Sequence, residues 1–578
     1  MQGSIRQIGS VVPSRRRVLA MLATITLLLI SLGFVAAGKA HAQDATEFVD
    51  GEIVAKLNFA TLNPGEECRP AIDGVIADSN TNARIKEVFL ENRNIACIYL
   101  LELPEGSNTE DAADVIAANQ RILYAEPNYT TDAPEGSRRM AFRADSPPEP
   151  SSDSAPYRNQ YAVGALNLPE AHRANKGAGS TVAVLDTGVQ RDHPELTGSL
   201  VEGYDFVDDD SNPSEEPNGV DDDNDCPTND CNYPYIDEAT GHGTHVAGIV
   251  HLAAPDAKIM PLRVLDSDGR GNIFVIAEAV QYAVLGPDRR PNTGDEADVI
   301  NMSLSSSRES NLIQDLADDL DAIEDDDDDD DTGPALRGVP VGGTVVVGSA
   351  GNDALEQPAY PAAETGVIGV ASVGQDERKS DFSNYFGQPE VDISAPGDDI
   401  YSLFTGSRYA EWDGTSMAAP FVAGQAALIR SMRPGLPSTA PSGQPSVSEY
   451  ITGSARNLDA ANDNTPWKGK IGGHADVFAS LRLANTAPTV SSVRPTGRTR
   501  DRTPIISALV RDAQTNLVKG DLTLFVNGRK IGTFTYSPST DRLTRTVGLP
   551  YGSHRVKATA TDSLGLVGTR AWTFRVVR

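Results

Sequence analysis

Gly414-Thr415-Ser416-Met417-Ala418-Ala419-Pro420 is the stretch on which the fold turns. It places a small hydroxyl residue at the start of a helix-like run that ends at Met432. A serine there stands beside the unpaired N–H groups and positive end of a helix. That setting suits a group that must carry an oxyanion-bearing adduct. A serine hydroxyl is a weak nucleophile without a nearby base. A base and an orienting acid should therefore exist elsewhere in the chain.

Both do. Gly241-His242-Gly243-Thr244-His245-Val246-Ala247-Gly248 supplies an imidazole flanked by glycines. Val182-Ala183-Val184-Leu185-Asp186-Thr187-Gly188 supplies a carboxylate at the end of an apolar strand. The chain order is Asp186, His242, Ser416, the subtilisin order rather than that of chymotrypsin or the α/β-hydrolases. The three motifs together resemble those of the subtilisin-like serine protease (subtilase) family, over roughly Tyr157 to Leu483.

Around these motifs, apolar strands alternate with helical patterns. The strands are predicted at Thr181–Leu185, Lys258–Val264, Val299–Ser303, Gly343–Gly348, Gly366–Val373 and Val391–Ser394. Helices are predicted at Gly243–His251, Ile273–Val284, Leu312–Glu324 and Thr415–Met432. Such alternation predicts an α/β fold with a doubly wound, mostly parallel sheet, and sites at the carboxyl ends of its strands.

The resemblance implies a secreted serine endopeptidase made as a zymogen and acting on polypeptides. It assigns Ser416 as nucleophile, His242 as base and Asp186 as its orienting acid. Asn352, in Ser349-Ala350-Gly351-Asn352-Asp353, becomes the side-chain oxyanion donor. Asn301-Met302-Ser303-Leu304 and the residues after it align with an edge strand that pairs with extended substrate. The family usually has glycine where this chain has Ser305, which predicts a narrower S1 wall. Asp205, Asp208, Asp210 and Asn212 match the spacing of the calcium loop of thermitase-like subtilases, so a structural Ca²⁺ is expected there. A second acid run, Asn218 to Asp225, reads either as another ion site or as a solvated loop. The contrasting reading of the whole chain is a protease-fold binding or adhesion protein that has lost catalysis. Such proteins usually lack a triad residue, and none is missing here.

The 578 residues suffice for three or four domains, and the net charge of −32 argues against nucleic acid as a partner. Arg15-Arg16-Arg17 precede an apolar run, Val18 to Ala37, and Ala40-His41-Ala42 offers a cleavage site before Gln43. This reads as a signal peptide over 1–42, by general or twin-arginine export, with a membrane anchor as the competing reading. Residues 43–132 resemble the small α+β propeptide of subtilases, ending in Glu126-Pro127-Asn128. The resemblance implies an intramolecular chaperone and inhibitor; within it Thr109 to Asn119 reads as a helix with Thr109 as its N-cap. Residues 133–156 read as a flexible linker, with Arg138-Arg139 one candidate cut site. Residues 157–484 form the peptidase domain, and 485–578 read as an immunoglobulin-like β-sandwich that is locally basic. A monomer is expected.

Export would permit disulfides, expected as Cys68–Cys97 and Cys226–Cys231. The seven aspartates from Asp325 to Asp331 repel one another and read as a surface insertion. His245 and His193 are expected to be structural, and Ser394 to be a buried strand residue.

Overall fold

Alternate residues of one strand settle the layering. Val182 and Val184 of the strand Thr181–Asp186 pack into one hydrophobic core, Ala183 and Leu185 into another on the opposite face. A strand buried on both faces needs an unbroken apolar run, which this one has. In the computed structural model it lies inside an eight-stranded sheet. Residues 47–63, 65–92, 96–133, 150–220, 237–321, 343–387, 391–440, 445–458 and 464–578 are described. The leader, Arg138-Arg139, Cys226, Cys231, the acid run from Asp221 and the aspartates Asp325–Asp331 lie outside them.

The sheet order is Gly473–His474, Ile393–Pro396, Val367–Val373, Val345–Ser349, Val299–Met302, Thr181–Asp186, Lys258–Arg263, Tyr204–Asp205. Every pairing in it is parallel. From Thr181–Asp186 the chain goes to the edge strand Tyr204–Asp205, returns to Lys258–Arg263 beside its start, and then crosses to Val299–Met302 on the other side, so connections leave Thr181–Asp186 in both directions. A crevice opens at the carboxyl ends at such a switch point. The helices His242–Ala253 and Thr415–Met432 cover one face of the sheet. Ile273–Leu285 and Asn311–Asp321 cover the other. The first two touch at Gly424, where an added Cβ would lie 2.4 Å from Ala253 Cβ. Overpacking of that kind costs about 1–3 kcal/mol.

Residues 48–132 form a four-stranded antiparallel sheet with two helices, ordered Arg84–Asn92, Ala96–Glu102, Phe48–Leu57, Ile122–Asp132. The β-α-β-β-α-β succession is of the ferredoxin-like type. Cys68 and Cys97 form a disulfide between its first helix and a central strand. Asn108, not Thr109, caps the second helix, accepting from Asp111 N. Thr109 Oγ1 instead accepts from Gly51 N at 2.8 Å. Segment 130–156 is structured at both ends: Thr130–Ala133 continues a strand, Ser151 bridges to Tyr409, and Ala155–Asn159 is helical.

Residues 489–576 form two facing sheets, of four and five strands, around one core that includes Trp572 and Phe574. Leu564, in the turn before the last strand, is buried in the protease core. Asn485 Nδ2 donates to Asp562 Oδ2 at 2.9 Å beside it. No helix among the described residues is long and apolar enough to cross a membrane.

Candidate active site

Asp186 ends its strand at the crevice, fully buried. His242 is the first residue of its helix, and its Nδ1 lies 2.7 Å from Asp186 Oδ1. The same carboxylate oxygen accepts from Thr187 N at 2.8 Å. Gly243 lets the helix start seat against this strand end, since a Cβ there would fall 2.1 Å from Gly188 O. Gly243 is thus a steric demand of the Asp–His contact, whereas Gly241, at φ +97°, is crowded by Phe404.

Ser416 is the second residue of the helix Thr415–Met432. Its backbone is fixed by Ser303, whose Oγ donates to Ser416 O at 2.9 Å, while Ser416 Oγ donates to Ser303 O at 3.3 Å. Asn301 Nδ2 donates to Ser303 Oγ at 3.0 Å. Asn352 Oδ1 accepts from Thr415 N at 2.9 Å and from Thr415 Oγ1 at 2.8 Å. Its amide oxygen is therefore committed, and the direction of its Nδ2 donor is set one residue from Ser416.

Three further groups shape the site. Glu215 Oε2 accepts from Gly241 N at 2.9 Å, and its Oε1 from Thr244 N and Oγ1 at 3.0 and 2.9 Å. It thus binds the orphan N–H groups that open the histidine helix. Thr187 Oγ1 also reaches it at 3.2 Å. Burial pushes the Glu215 carboxyl up to about 7; the N–H groups of Gly241 and Thr244 oppose the rise, and the Asp186 charge adds to it. Nothing in the sequence marked this residue, which lies in an acidic loop well upstream of His242. Trp412, four positions before Ser416, was not singled out in the sequence either. Its ring centroid is 5.5 Å from that of His242, and it stacks on His245 at 5.3 Å. The third group, Gly269–Asn272, is an edge with no strand-like sequence. It pairs antiparallel with the chain's own Thr130–Asp132, and Ala133 N donates to Gly269 O. Asp132 also exchanges two 2.9 Å backbone hydrogen bonds with Ser305, on the other side. An extended segment of the chain thus lies between the edge Gly269–Asn272 and Ser305, two residues from Ser303.

His193, His245 and Ser394 behave structurally. His193 Nε2 meets Arg408 O at 3.1 Å, and Ser394 Oγ donates to Ile471 O. Burial, with the charge of His242 adding to it, pushes His245 down to about 3. Burial also depresses His172, His193, His251 and His474. A histidine depressed in the folded state stabilises fully above its unfolded value of 6.5 and loses that contribution as pH falls toward 3. The slope of urea-unfolding free energy between pH 6.5 and 4 should therefore be shallower in His245→Asn. Equal slopes would exclude His245 from the acid instability.

In the acidic loop, Asp205, Asp208 and Glu216 have carboxylate oxygens within 4.8 Å of one another. Arg263 Nη1 holds Asp205 at 2.8 Å and Asp208 at 2.5 Å. Asp205 Oδ1 also accepts from Val207 N and Asp208 N, so Asp205 mainly orders the loop. Asp210 and Asn212 stand outside the three-carboxylate cluster: Asp210 Oδ1 accepts from Asn212 N, and Asn212 Nδ2 donates to Glu216 Oε1. Glu216 is the member that the spacing did not flag. Three carboxylates against one guanidinium leave a surplus of negative oxygen donors, a set that fits a hard divalent cation.

Residues 177–467 match the model of the subtilase family, Peptidase_S8, which is half of the chain. The chain belongs to the subtilase family. This subtilase is 35% identical over 282 residues to thermitase of Thermoactinomyces vulgaris, covering 47% of this chain and 82% of thermitase. It is 32% identical over 398 residues to a thermophilic serine proteinase of Bacillus sp. (strain AK1), covering 66% and 79%. It is 28% identical to the halolysin-like extracellular serine protease Nep of Natrialba magadii, over 67% of this subtilase and 65% of Nep. Like other subtilases, it is a serine endopeptidase.

Proposed function

We propose that this subtilase is exported as a zymogen and cleaves peptide bonds through Asp186, His242 and Ser416. The 2.7 Å Asp186–His242 contact carries the reading. Ser416 Oγ adds to the substrate carbonyl as His242 Nε2 takes its proton. Asp186 holds Nδ1 and so fixes the tautomer and stabilises the imidazolium. The oxyanion is met by Ser416 N–H and by Asn352 Nδ2. The C–N bond then breaks, the leaving amine takes the proton from His242, and water repeats the sequence on the acyl ester. Substrate is bound through main-chain hydrogen bonds between Ser305 and Gly269–Asn272, as Thr130–Ala133 is bound here.

The 43–132 unit acts as chaperone and inhibitor. Glu126 and Asn128 support this, because each caps a protease helix. Glu126 accepts from Asn311 N and Leu312 N, and Asn128 Oδ1 accepts from Phe274 N. Lys56 adds an ion pair to Asp315 at 2.8 Å. Cleavage falls after Ala133. Mass spectrometry of the secreted protein should place the mature N-terminus within 134–156, and Ser416→Ala protein should keep the unit. A Ser416→Ala chain processed like wild type would overturn self-cleavage.

Calcium would be held by Asp208, Glu216 and Asp205, with Asp210 and Asn212 ordering the loop, as a structural ion away from the chemistry. An ion bound only to the folded state adds to stability, about 2.7 kcal/mol at a hundredfold excess over its Kd. Tm should therefore fall by several degrees in chelator. Identical Tm values with calcium and with chelator would remove the ion from this loop.

A further inference from the structure

Residues 485–578 carry fifteen lysines and arginines against five aspartates and no glutamate, a surplus of ten positive charges in a chain whose total is −32. The strand registers show where part of that charge goes. In the five-stranded sheet, His554, Val556, Ala558, Trp572, Phe574 and Leu524 point into the core. Their alternates point out. Arg498 pairs with Arg575, which pairs with Ser553. Arg555 pairs with Thr573. Ala571, Lys557, Phe525 and Lys530 form a row across four strands. Paired residues share a face, with strands about 5 Å apart. One flat face therefore presents Arg498, Lys530, Arg555, Lys557 and Arg575, all exposed.

No carboxylate stands on that face. Asp501, Asp512, Asp521, Asp541 and Asp562 all lie outside the strands. Within this module the described ion pair is Arg511–Asp541, in the other sheet, and none of the five basic residues on the face is in an ion pair among the described residues. Lone basic residues are ordinary on a surface; five on one face without a counter-charge make a positive field.

We propose that this face binds an anionic polysaccharide, holding the protease on a carboxylated or sulfated glycan. Hydroxyls of Thr523, Ser553, Thr559, Thr569 and Thr573 alternate with the cations, matching a ligand that carries both anionic groups and hydroxyls. The face offers no open stacking platform for unpaired bases: Lys557 Nζ lies 5.9 Å over the ring of Phe525, and the exposed ring of Tyr551 at its end is covered by Arg502 and Arg578. Val567, at its far end, is its exposed large aliphatic. One such side chain is too little apolar surface for insertion among acyl chains.

The test uses the full chain carrying Ser416→Ala, to prevent self-digestion, on heparin-agarose and in titrations with heparin and polygalacturonate. Retention should require salt above about 0.15 M for elution. Arg555→Glu with Lys557→Glu should weaken polysaccharide binding about tenfold or more. Arg498→Glu with Arg575→Glu should do the same, guarding against misfolding of either pair, while Arg494→Glu in the other sheet should have a small effect. Casein hydrolysis by the otherwise wild-type chain should not change with these substitutions. Unchanged retention in both folded double variants would overturn the proposal. So would binding confined to DNA or to phosphatidylglycerol vesicles, or salt-dependent self-association in place of glycan binding.

Discussion

Ser416→Ala is expected to lower kcat on casein by about 10⁶-fold while leaving the fold intact. The hydroxyl is small, and the backbone around it is held independently of it. Ser303 Oγ grips Ser416 O, and Asn352 grips Thr415. The lost Ser416 Oγ bond to Ser303 O is long, at 3.3 Å, so stability should change by less than about 1 kcal/mol. A measured kcat within tenfold of wild type, in protein shown free of contaminating protease, would refute the assignment. A large loss of stability would show instead that Ser416 is a packing residue.

Asp186→Asn is expected to lower kcat by about 10⁴-fold. The carboxylate oxygen receives both His242 Nδ1–H at 2.7 Å and Thr187 N–H at 2.8 Å. Both donors share Asp186 Oδ1, so an asparagine that keeps its oxygen there retains the two contacts but loses the negative charge that stabilises the imidazolium. If the amide flips instead, its N–H group faces His242 and favours the tautomer with its proton on Nε2. That tautomer cannot accept the serine proton. Glu215 does not replace the lost charge, because it already caps the histidine helix through Gly241 and Thr244. Steady-state kinetics should show the loss in kcat more than in KM. A loss confined to KM would place Asp186 in substrate binding instead.

Much of this was legible because sterics write themselves into sequence. Gly243 must lack a Cβ to pass Gly188 O, and the strand Thr181–Asp186 must be apolar on both faces. Such constraints leave contiguous marks. The helix ends were less legible: Asn108 and Thr109 are both capping residue types, and only the backbone decides between them. Glu215 was not legible at all, since its partners lie across a loop and one carboxylate in an acidic stretch resembles the next. Glu216 joined Asp205 and Asp208 for the same reason. The edge Arg270–Asn272 has no hydrophobic alternation, because its pairing is made by backbone and its side chains are only partly buried.

The central claim is that Asp186, His242 and Ser416 act as one proton-transfer line. Labelling with a fluorophosphonate followed by peptide mass spectrometry tests it most directly. One adduct per chain on Ser416 is expected, with labelling slowed by orders of magnitude in His242→Ala although Ser416 is present. An adduct on another residue, or equally fast labelling of Ser416 without His242, would contradict it.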